Sequence, residues 1–333
     1  MPNPQALQKL VQQFAGRLKE SRVSIAVVGD MILDKHVEGT PGGRHPEIGV
    51  PILRDVTTQE SIGGAANIAL ALTRLGVEPA LFGVIGSDLP GRQLENLLDR
   101  QPFASHLITE RGWPTPTKDW IYQRQDGRLS PLQRIDYDRP LSGRAREELV
   151  GEFRARCPAG VQVVILVDHG LGSIGTESLA LIGLAKERRA KLVAIPRTAV
   201  LRGQPLDAIV INSPEMRCLS NAGETAEPRV LAARYALEYA QGVFLTMLGE
   251  GILVCPAGQR AAGTLIPGYP LENAQWMGAR DMATAIVALG MALGLEALDI
   301  GHLANAFRSL VADQRGNGRV TWRDIHQFVG LPE

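Results

Sequence analysis

Residues 23–30 read VSIAVVGD, a short run of β-branched and small apolar residues that ends in the acidic Asp30. Such a run is typical of a buried strand. From here the chain alternates β-branched runs with longer segments whose apolar residues lie three and four positions apart, as in helices. This alternation predicts an α/β fold with a mostly parallel central sheet covered by helices. The predicted strands are 23–28, 80–84, 161–167, 191–195, 208–211 and 243–247, and the predicted helices include 65–75, 92–99, 176–188 and 229–239.

Two segments interrupt the alternation, residues 33–57 and 113–137, which are rich in β-forming residues, glycine and proline. We interpret them as strands of a small β-rich lid over the main sheet. A lid has one face over a ligand and another that needs cover, so pairing of two lids in a homodimer is expected. The predicted organisation is an N-terminal helix (1–22), one main domain (23–318) and a C-terminal tail packed on it (319–333).

The composition is that of an ordinary globular protein, with 333 residues, 45% hydrophobic and 21% charged. Thirty-five basic and 35 acidic side chains balance, which favours neither nucleic acid nor an anionic membrane as a partner. The chain has no apolar run of about 18 residues and its first 22 residues do not resemble a signal peptide, so a cytoplasmic location is expected. The three widely spaced cysteines predict reduced core thiols, at Cys157, Cys218 and Cys255.

A glycine pair opens the most distinctive segment, SIGGAAN at residues 61–67. Small residues here allow a ligand to approach the backbone closely, although the segment taken alone favours tight helix packing as the explanation. Asp30 lies at the carboxyl end of the first strand, where ligands of open α/β sheets bind and where a carboxylate could accept sugar hydroxyls. A turn or helix-capping role for Asp30 is the alternative.

Gly278, Ala279, Arg280 and Asp281 begin a long apolar helix that is predicted to continue to about Gln314. The amide groups and the dipole of a helix start suit phosphate, and a carboxylate in the first turn can accept a proton from an attacking hydroxyl. The alternative is that Asp281 only complements the helix dipole.

Other motifs carry less information. Residues 170–175 read GLGSIG, but the next strand does not end in the acidic residue that a dinucleotide site requires, and the chain has no P-loop motif. The histidines do not pair at zinc spacing. His169 either lines a cleft or caps a turn, and the sequence favours neither.

Taken together, VVGD (27–30), GGAAN (63–67) and a G-A-x-D helix start (278–281) resemble the ribokinase/pfkB carbohydrate kinases. HPEIGVPIL (45–53), LQRIDYD (132–138), VILVDHGLG (164–172) and LANAF (303–307) are most similar to heptose-7-phosphate kinases, as is the tail segment GNGRVTWRDI (316–325). The resemblance implies a ribokinase-like three-layer fold with a lid, and transfer of phosphate from ATP, with Mg²⁺, to a sugar or sugar phosphate.

The resemblance also implies roles for individual residues. Asp281 would be the catalytic base, and Gly278, Ala279 and Arg280 would form the anion hole with it. Glu215, with Asn212, would organise Mg²⁺ and phosphate. The remaining implied contacts are to the sugar, from Asp30, Gly63, Gly64, Asn67, Arg134 and Asp136, and to the nucleotide, from Thr246, Gly249 and Asn305.

The chain departs from the family pattern at the anion hole. Where the family usually reads DVTGAGD, residues 275–281 read QWMGARD. If position 280 needs a positive φ, Arg280 costs roughly 1 kcal/mol in strain; alternatively, its guanidinium helps to neutralise the transferred phosphate. Leu171 stands where the family has a lysine, a loss that Arg197 or Lys118 could offset.

Two functional hypotheses follow. The first is an ATP- and Mg²⁺-dependent sugar kinase whose best single substrate is heptose 7-phosphate. The second is a catalytically impaired protein of the same fold that binds a sugar or a protein partner.

Overall fold

The computed structural model describes residues 4–272, 274–313 and 320–331. Its strands, in chain order, are β1 (Ile25–Arg44), β2 (Pro51–Gly64), β3 (Ala80–Gly86), β4 (Ala104–Glu110), β5 (Thr117–Gln125), β6 (Arg128–Tyr137), β7 (Val163–Val167), β8 (Lys191–Ile195), β9 (Ala208–Asn212), β10 (Gly242–Met247), β11 (Gly251–Cys255) and β12 (Thr264–Pro267). Its helices are α1 (Pro4–Glu20), α2 (Ala65–Arg74), α3 (Leu89–Leu98), α4 (Gly143–Arg156), α5 (Ala180–Glu187), α6 (Ser213–Leu219), α7 (Pro228–Tyr239), α8 (Ala279–Ala292), α9 (Ala297–Asp313) and α10 (Trp322–Val329).

The central sheet has the strand order β12-β11-β10-β9-β8-β7-β1-β3-β4. All pairs from β10 through β4 are parallel, whereas β11 and β12 add an antiparallel edge. One apolar cluster fills the face covered by α1, α2, α8, α9 and α10, and a second fills the face covered by α4, α5, α6 and α7. The predicted α/β three-layer fold is therefore confirmed.

The lid is a continuation of the central strand β1. From Met31 onward β1 pairs with β2, and from Leu33 to Gly39 it also pairs with β5, which in turn pairs with β6. This 20-residue strand was predicted as two separate elements, a core strand at 23–28 and a lid segment from residue 33, because Gly29 and Asp30 interrupt its apolar pattern. The lid is thus attached directly to the sheet at the position where Asp30 and Asp34 lie.

The C-terminal half differs from the expected single helix. A break at residues 293–296, where Gly294 has a φ of +68°, separates α8 from α9. Helix α9 ends at Asp313, and the predicted end at Gln314 lies outside the described residues. Residues 316–319 of the tail segment 316–325 also lie outside them. In the tail, Thr321 and Asp324 form a capping box at the start of α10.

Two of the three cysteines lie in the core, as the sequence predicted, and one does not. Cys157 and Cys255 are buried, which raises the pKa of each thiol to about 11. Cys218 is exposed, so its assignment to the core is wrong. In the part of the chain that the structure describes, every helix is too short or too polar to cross a membrane.

Candidate active site

A cleft of about 1030 Å³ lies at the carboxyl ends of the central strands and runs from the lid to the turn after β10. Its lid end is lined by Asp34, Lys118, Trp120 and Arg134. Its middle is lined by Asn67, His169, Glu215 and residues 278–281. The far end is formed by residues 246–250, Trp276, Met277 and Arg308. The cleft therefore brings together residues from both halves of the sequence.

Asp281 lies in the first turn of α8, and Asn67 holds it from α2. The amide Nδ2 of Asn67 donates a hydrogen bond of 2.6 Å to Oδ2 of Asp281. Gly278, the residue before the helix, adopts a φ of +75°, and no side chain of the described residues caps α8. The start of α8 is consequently open to an anionic ligand in the cleft.

Arg280 has ordinary helical backbone geometry, because the positive φ of this motif belongs to Gly278 alone. Of the two alternatives for Arg280, backbone strain is therefore excluded. Its guanidinium forms an ion pair with Oε2 of Glu215, and it also lies 3.4 Å from Nδ1 of His169. The side chains of Arg280 and Glu215 are 19% and 11% exposed, so this charge pair is largely shielded from solvent.

Glu215 is also part of a capping box at the start of α6. Its amide donates to Oδ1 of Asn212 at 2.9 Å, and its carboxylate accepts from the amide of Asn212 at 3.4 Å. The N-x-x-E spacing is thus explained by local helix capping. This capping fixes the carboxylate of Glu215 opposite Arg280.

Burial shifts the pKa of both central titratable groups. It raises the pKa of Asp281, and Arg280 and the hydrogen bond from Asn67 partly oppose this rise. It lowers the pKa of His169 well below its usual value, and the neighbouring cation of Arg280 adds to that effect. His169 lines the cleft in a neutral form that can accept a hydrogen bond from Arg280.

Asp34 is the main site residue that the sequence analysis missed. It lines the lid end of the cleft, where burial raises its pKa to about 6 although Trp120 and Lys118 act to lower it. The indole Nε1 of Trp120 donates to its carboxylate at 3.3 Å. A Cβ atom on Gly63 would lie 2.2 Å from Oδ2 of Asp34, so Gly63 serves to admit this carboxylate. Asp34 lies four residues after Asp30 in the same strand, and this spacing was the sequence feature that could have identified it as a site residue.

Asp30 is 1% exposed and does not face the cleft. Its carboxylate accepts backbone hydrogen bonds from His169 at 2.8 Å, Leu171 at 3.0 Å and Ser173 at 2.8 Å. These contacts correct the expectation that Asp30 binds a sugar, because both of its oxygens already have backbone donors. The loop that it organises contains the glycine-rich segment 170–175, which accounts for that motif.

The other predicted residues divide between the cleft surface and its support. Gly64, with a φ of +60°, Thr246 and Gly249 line the cleft. Asn305 is fully buried and donates to the carbonyl of Pro267 at 2.8 Å, so the expectation that it contacts a nucleotide is corrected to a supporting role.

Arg134 also lines the cleft, with its guanidinium 5.0 Å from the centre of the Trp120 ring. Asp136 pairs with Arg134 at 2.8 Å. Lys118 and Arg197, the two cations considered as replacements for a lysine at position 171, both border the cleft as well.

Comparison with known proteins finds similarity to carbohydrate kinase sequences. Residues 24–128 match the pfkB family carbohydrate kinase model. A bifunctional protein HldE of Hyphomonas neptunium is 30% identical over 315 residues, which covers 92% of this chain and 63% of that protein. HldE of Mesorhizobium japonicum is 28% identical, with 97% and 64% covered. The chain thus spans slightly less than two thirds of the length of these relatives.

Solved structures share the fold at low sequence identity. Phosphofructokinase-2 from Escherichia coli, in complex with fructose-6-phosphate, superposes with a TM-score of 0.71 at 15% identity, covering 93% of this chain and 98% of that one. Ribokinase from Thermotoga maritima gives a TM-score of 0.67 at 16% identity, with 92% and 99% covered. These similarities establish the fold.

Proposed function

We propose that the chain transfers the γ-phosphoryl group of ATP to a hydroxyl group of a sugar or sugar phosphate, because its residues 24–128 match the pfkB family carbohydrate kinase model. The observation that carries this proposal is the position of Asp281, at the open start of α8 and hydrogen-bonded to Asn67. Heptose 7-phosphate is the proposed acceptor, since residues 45–53, 132–138 and 164–172 resemble kinases that use it.

In this reaction Asp281 accepts the proton of the acceptor hydroxyl. The hydroxyl oxygen forms a bond to the γ-phosphorus, the bond from that phosphorus to the β,γ-bridging oxygen breaks, and ADP leaves. Asn67 orients the carboxylate through its 2.6 Å hydrogen bond. The amides of the first turn of α8 and the guanidinium of Arg280 stabilise the negative charge of the transferred group.

Glu215 is the residue best suited to a magnesium ion. Mg²⁺ usually keeps several waters and is held by one or two carboxylates together with substrate phosphates. One largely buried carboxylate beside the anion hole, paired with Arg280, fits that pattern, and the described residues contain no cluster of three or more His, Cys, Asp or Glu side chains that could hold a metal ion. When bound, the ion would offset the charge of the triphosphate.

The lid end of the cleft would hold the acceptor. The carboxylate of Asp34 can accept hydrogen bonds from sugar hydroxyls, and Lys118, Arg134 and Arg197 supply positive charge for a phosphate on the sugar. Exposed apolar side chains on the lid, including Ile48 and Val50, support the proposal that two lids pair in a homodimer.

The proposal is tested by measuring ADP release with ATP and Mg²⁺ over a panel of heptose, hexose and pentose substrates, with and without a terminal phosphate. We expect turnover to be fastest with heptose 7-phosphate. Calorimetry with ATP and Mg²⁺ accompanies the assay. Absence of ATP binding at millimolar concentration would contradict the kinase proposal, and ATP binding without turnover on any substrate would favour the noncatalytic alternative.

A further inference from the structure

Arg308, on α9, is a charged side chain buried at the far end of the cleft. It is 2% exposed, and no carboxylate of the described residues forms a salt bridge with it. Its guanidinium donates instead to the carbonyls of Leu248 and Gly251 and to Oδ1 of Asn305. The guanidinium carbon also lies 4.6 Å from the centre of the Trp276 ring. Arg308 therefore ties α9 to the turn after β10 and to the loop before α8.

Burying an arginine in this way does little for stability. Desolvation lowers the pKa of Arg308 to about 10, and well-packed apolar residues often stabilise a protein as much as a buried charge does. The contacts do fix the position of one side chain in the cleft, Trp276, because a guanidinium over an indole face forms a cation–π interaction. Trp276 is half-buried and lines the cleft.

The two ends of the cleft differ in chemistry. The lid end offers a carboxylate and several cations, from Asp34, Lys118 and Arg134. The far end offers an indole and apolar side chains, from Trp276, Met247, Leu248 and Met277, and the carboxylate of Glu250 there is paired with Arg229. Polar hydroxyls suit the first set, whereas a flat aromatic ring suits the second, since every nucleobase has a π face that stacks on aromatic side chains.

We infer that Trp276 stacks against the nucleobase of the phosphoryl donor, and that Arg308 is a positioning residue that holds the indole in place. This inference rests on the proposed kinase function, which supplies a nucleoside triphosphate as the donor. Trp276 and Arg308 would then make the protein bind a phosphoryl donor that carries a nucleobase more tightly than a polyphosphate without one.

The test compares binding of ATP and of tripolyphosphate, which lacks a base, by calorimetry in the presence of Mg²⁺. Trp276→Leu is expected to weaken ATP binding roughly 5- to 150-fold, the effect of losing one stacked base, while tripolyphosphate binding stays unchanged. Trp276→Phe should retain most of the ATP affinity. Equal losses for both ligands, or no loss for either, would overturn the inference.

Fluorescence is measured in a Trp120→Phe background, because Trp120 also lines the cleft, and it separates Trp276 from the remote Trp322, which packs on Phe14 and Phe307. In that background ATP should quench the emission of the protein that keeps Trp276 and of Trp322→Phe, but not that of Trp276→Phe. Quenching that persists in Trp276→Phe in that background would overturn the stacking contact. If the wild-type protein turns over sugar with ATP yet fails these tests, the inference fails while the proposed function stands.

Arg308 is tested by the same ratio of affinities. Arg308→Met should reduce ATP affinity selectively, and Arg308→Lys, which keeps the charge but not the planar guanidinium, should give an intermediate ratio. Thermal unfolding shows whether each variant folds. If Arg308→Met does not fold, the ratio of affinities in Arg308→Lys tests the positioning role. A ratio equal to that of the wild-type protein in the folded variants would remove Arg308 from the positioning role.

Discussion

Replacement of Arg280 by glycine, the residue usual in the family at this position, removes the side chain that forms an ion pair between α8 and Glu215. Hydrogen bonds to charged groups contribute roughly 1.5–3 kcal/mol. If Arg280 makes one such contact with the transferred phosphoryl group, its loss slows turnover by about 10- to 150-fold. The backbone at position 280 is already helical, so glycine relieves no strain there.

The pH dependence of the same variant provides a second measurement. Arg280 acts to lower the pKa of Asp281, so removing it raises that pKa further. Because Asp281 must be ionised to accept a proton, the acidic limb of the kcat profile should move to higher pH in Arg280→Gly. Arg280→Lys is the matched control, which keeps the charge and should shift the limb less. A kcat in Arg280→Gly equal to or above that of the wild-type protein, with an unmoved profile, would refute the role assigned to Arg280.

Three further predictions concern the fold and the assembly. Burial raises the pKa of Asp34 from 3.8 to about 6, so the ionised carboxylate destabilises the folded protein at high pH, and this penalty disappears as the pH falls towards 3.8. In chemical denaturation, Asp34→Asn should therefore raise the free energy of unfolding by about 2–3 kcal/mol at pH 8 and by less towards pH 4.5. An increase that stays constant with pH would contradict burial of the charge as the cause. Asp30→Ala leaves three buried backbone donors unpaired and should lower the free energy of unfolding by roughly 3–5 kcal/mol, a larger loss than in Asp30→Asn. Glutamate at both Ile48 and Val50 should convert a lid-paired dimer to a monomer in light scattering, and a native dimer mass in that variant would place the contact elsewhere.

The alternation of strands and helices was sufficient to predict six of the nine strands of the central sheet, namely β1, β3, β7, β8, β9 and β10, and most of the helices that cover it. Strands β7, β8 and β9 are buried on both faces, and their continuous apolar runs made them easy to find. Strands β4 and β12 were missed because no residue of β4 and only one of β12 is fully buried, so their apolar pattern is weak. Strand β11 was also missed, although all five of its residues are buried. The break between α8 and α9 was also missed, since the apolar residues continue on both sides of Gly294.

The candidate site was harder to predict, because side-chain direction depends on contacts distant in sequence. Asp30 and Asp34 are both acidic residues of β1, but the loop after β7 supplies the amides that turn Asp30 inward. The ion pair of Arg280 with Glu215 joins residues 65 positions apart, and no local pattern indicates it. Asp281, by contrast, lies in the first turn of a helix whose start the sequence predicted.

The most direct test of the account compares kcat of the wild-type protein and of Asp281→Asn with heptose 7-phosphate, alongside the ATP affinity of each by calorimetry. Asparagine keeps the shape of the side chain but cannot serve as the base. The account predicts that turnover falls by at least about 100-fold, as is typical when a general base is lost, while ATP affinity is roughly unchanged. Turnover at the wild-type rate in Asp281→Asn would contradict it.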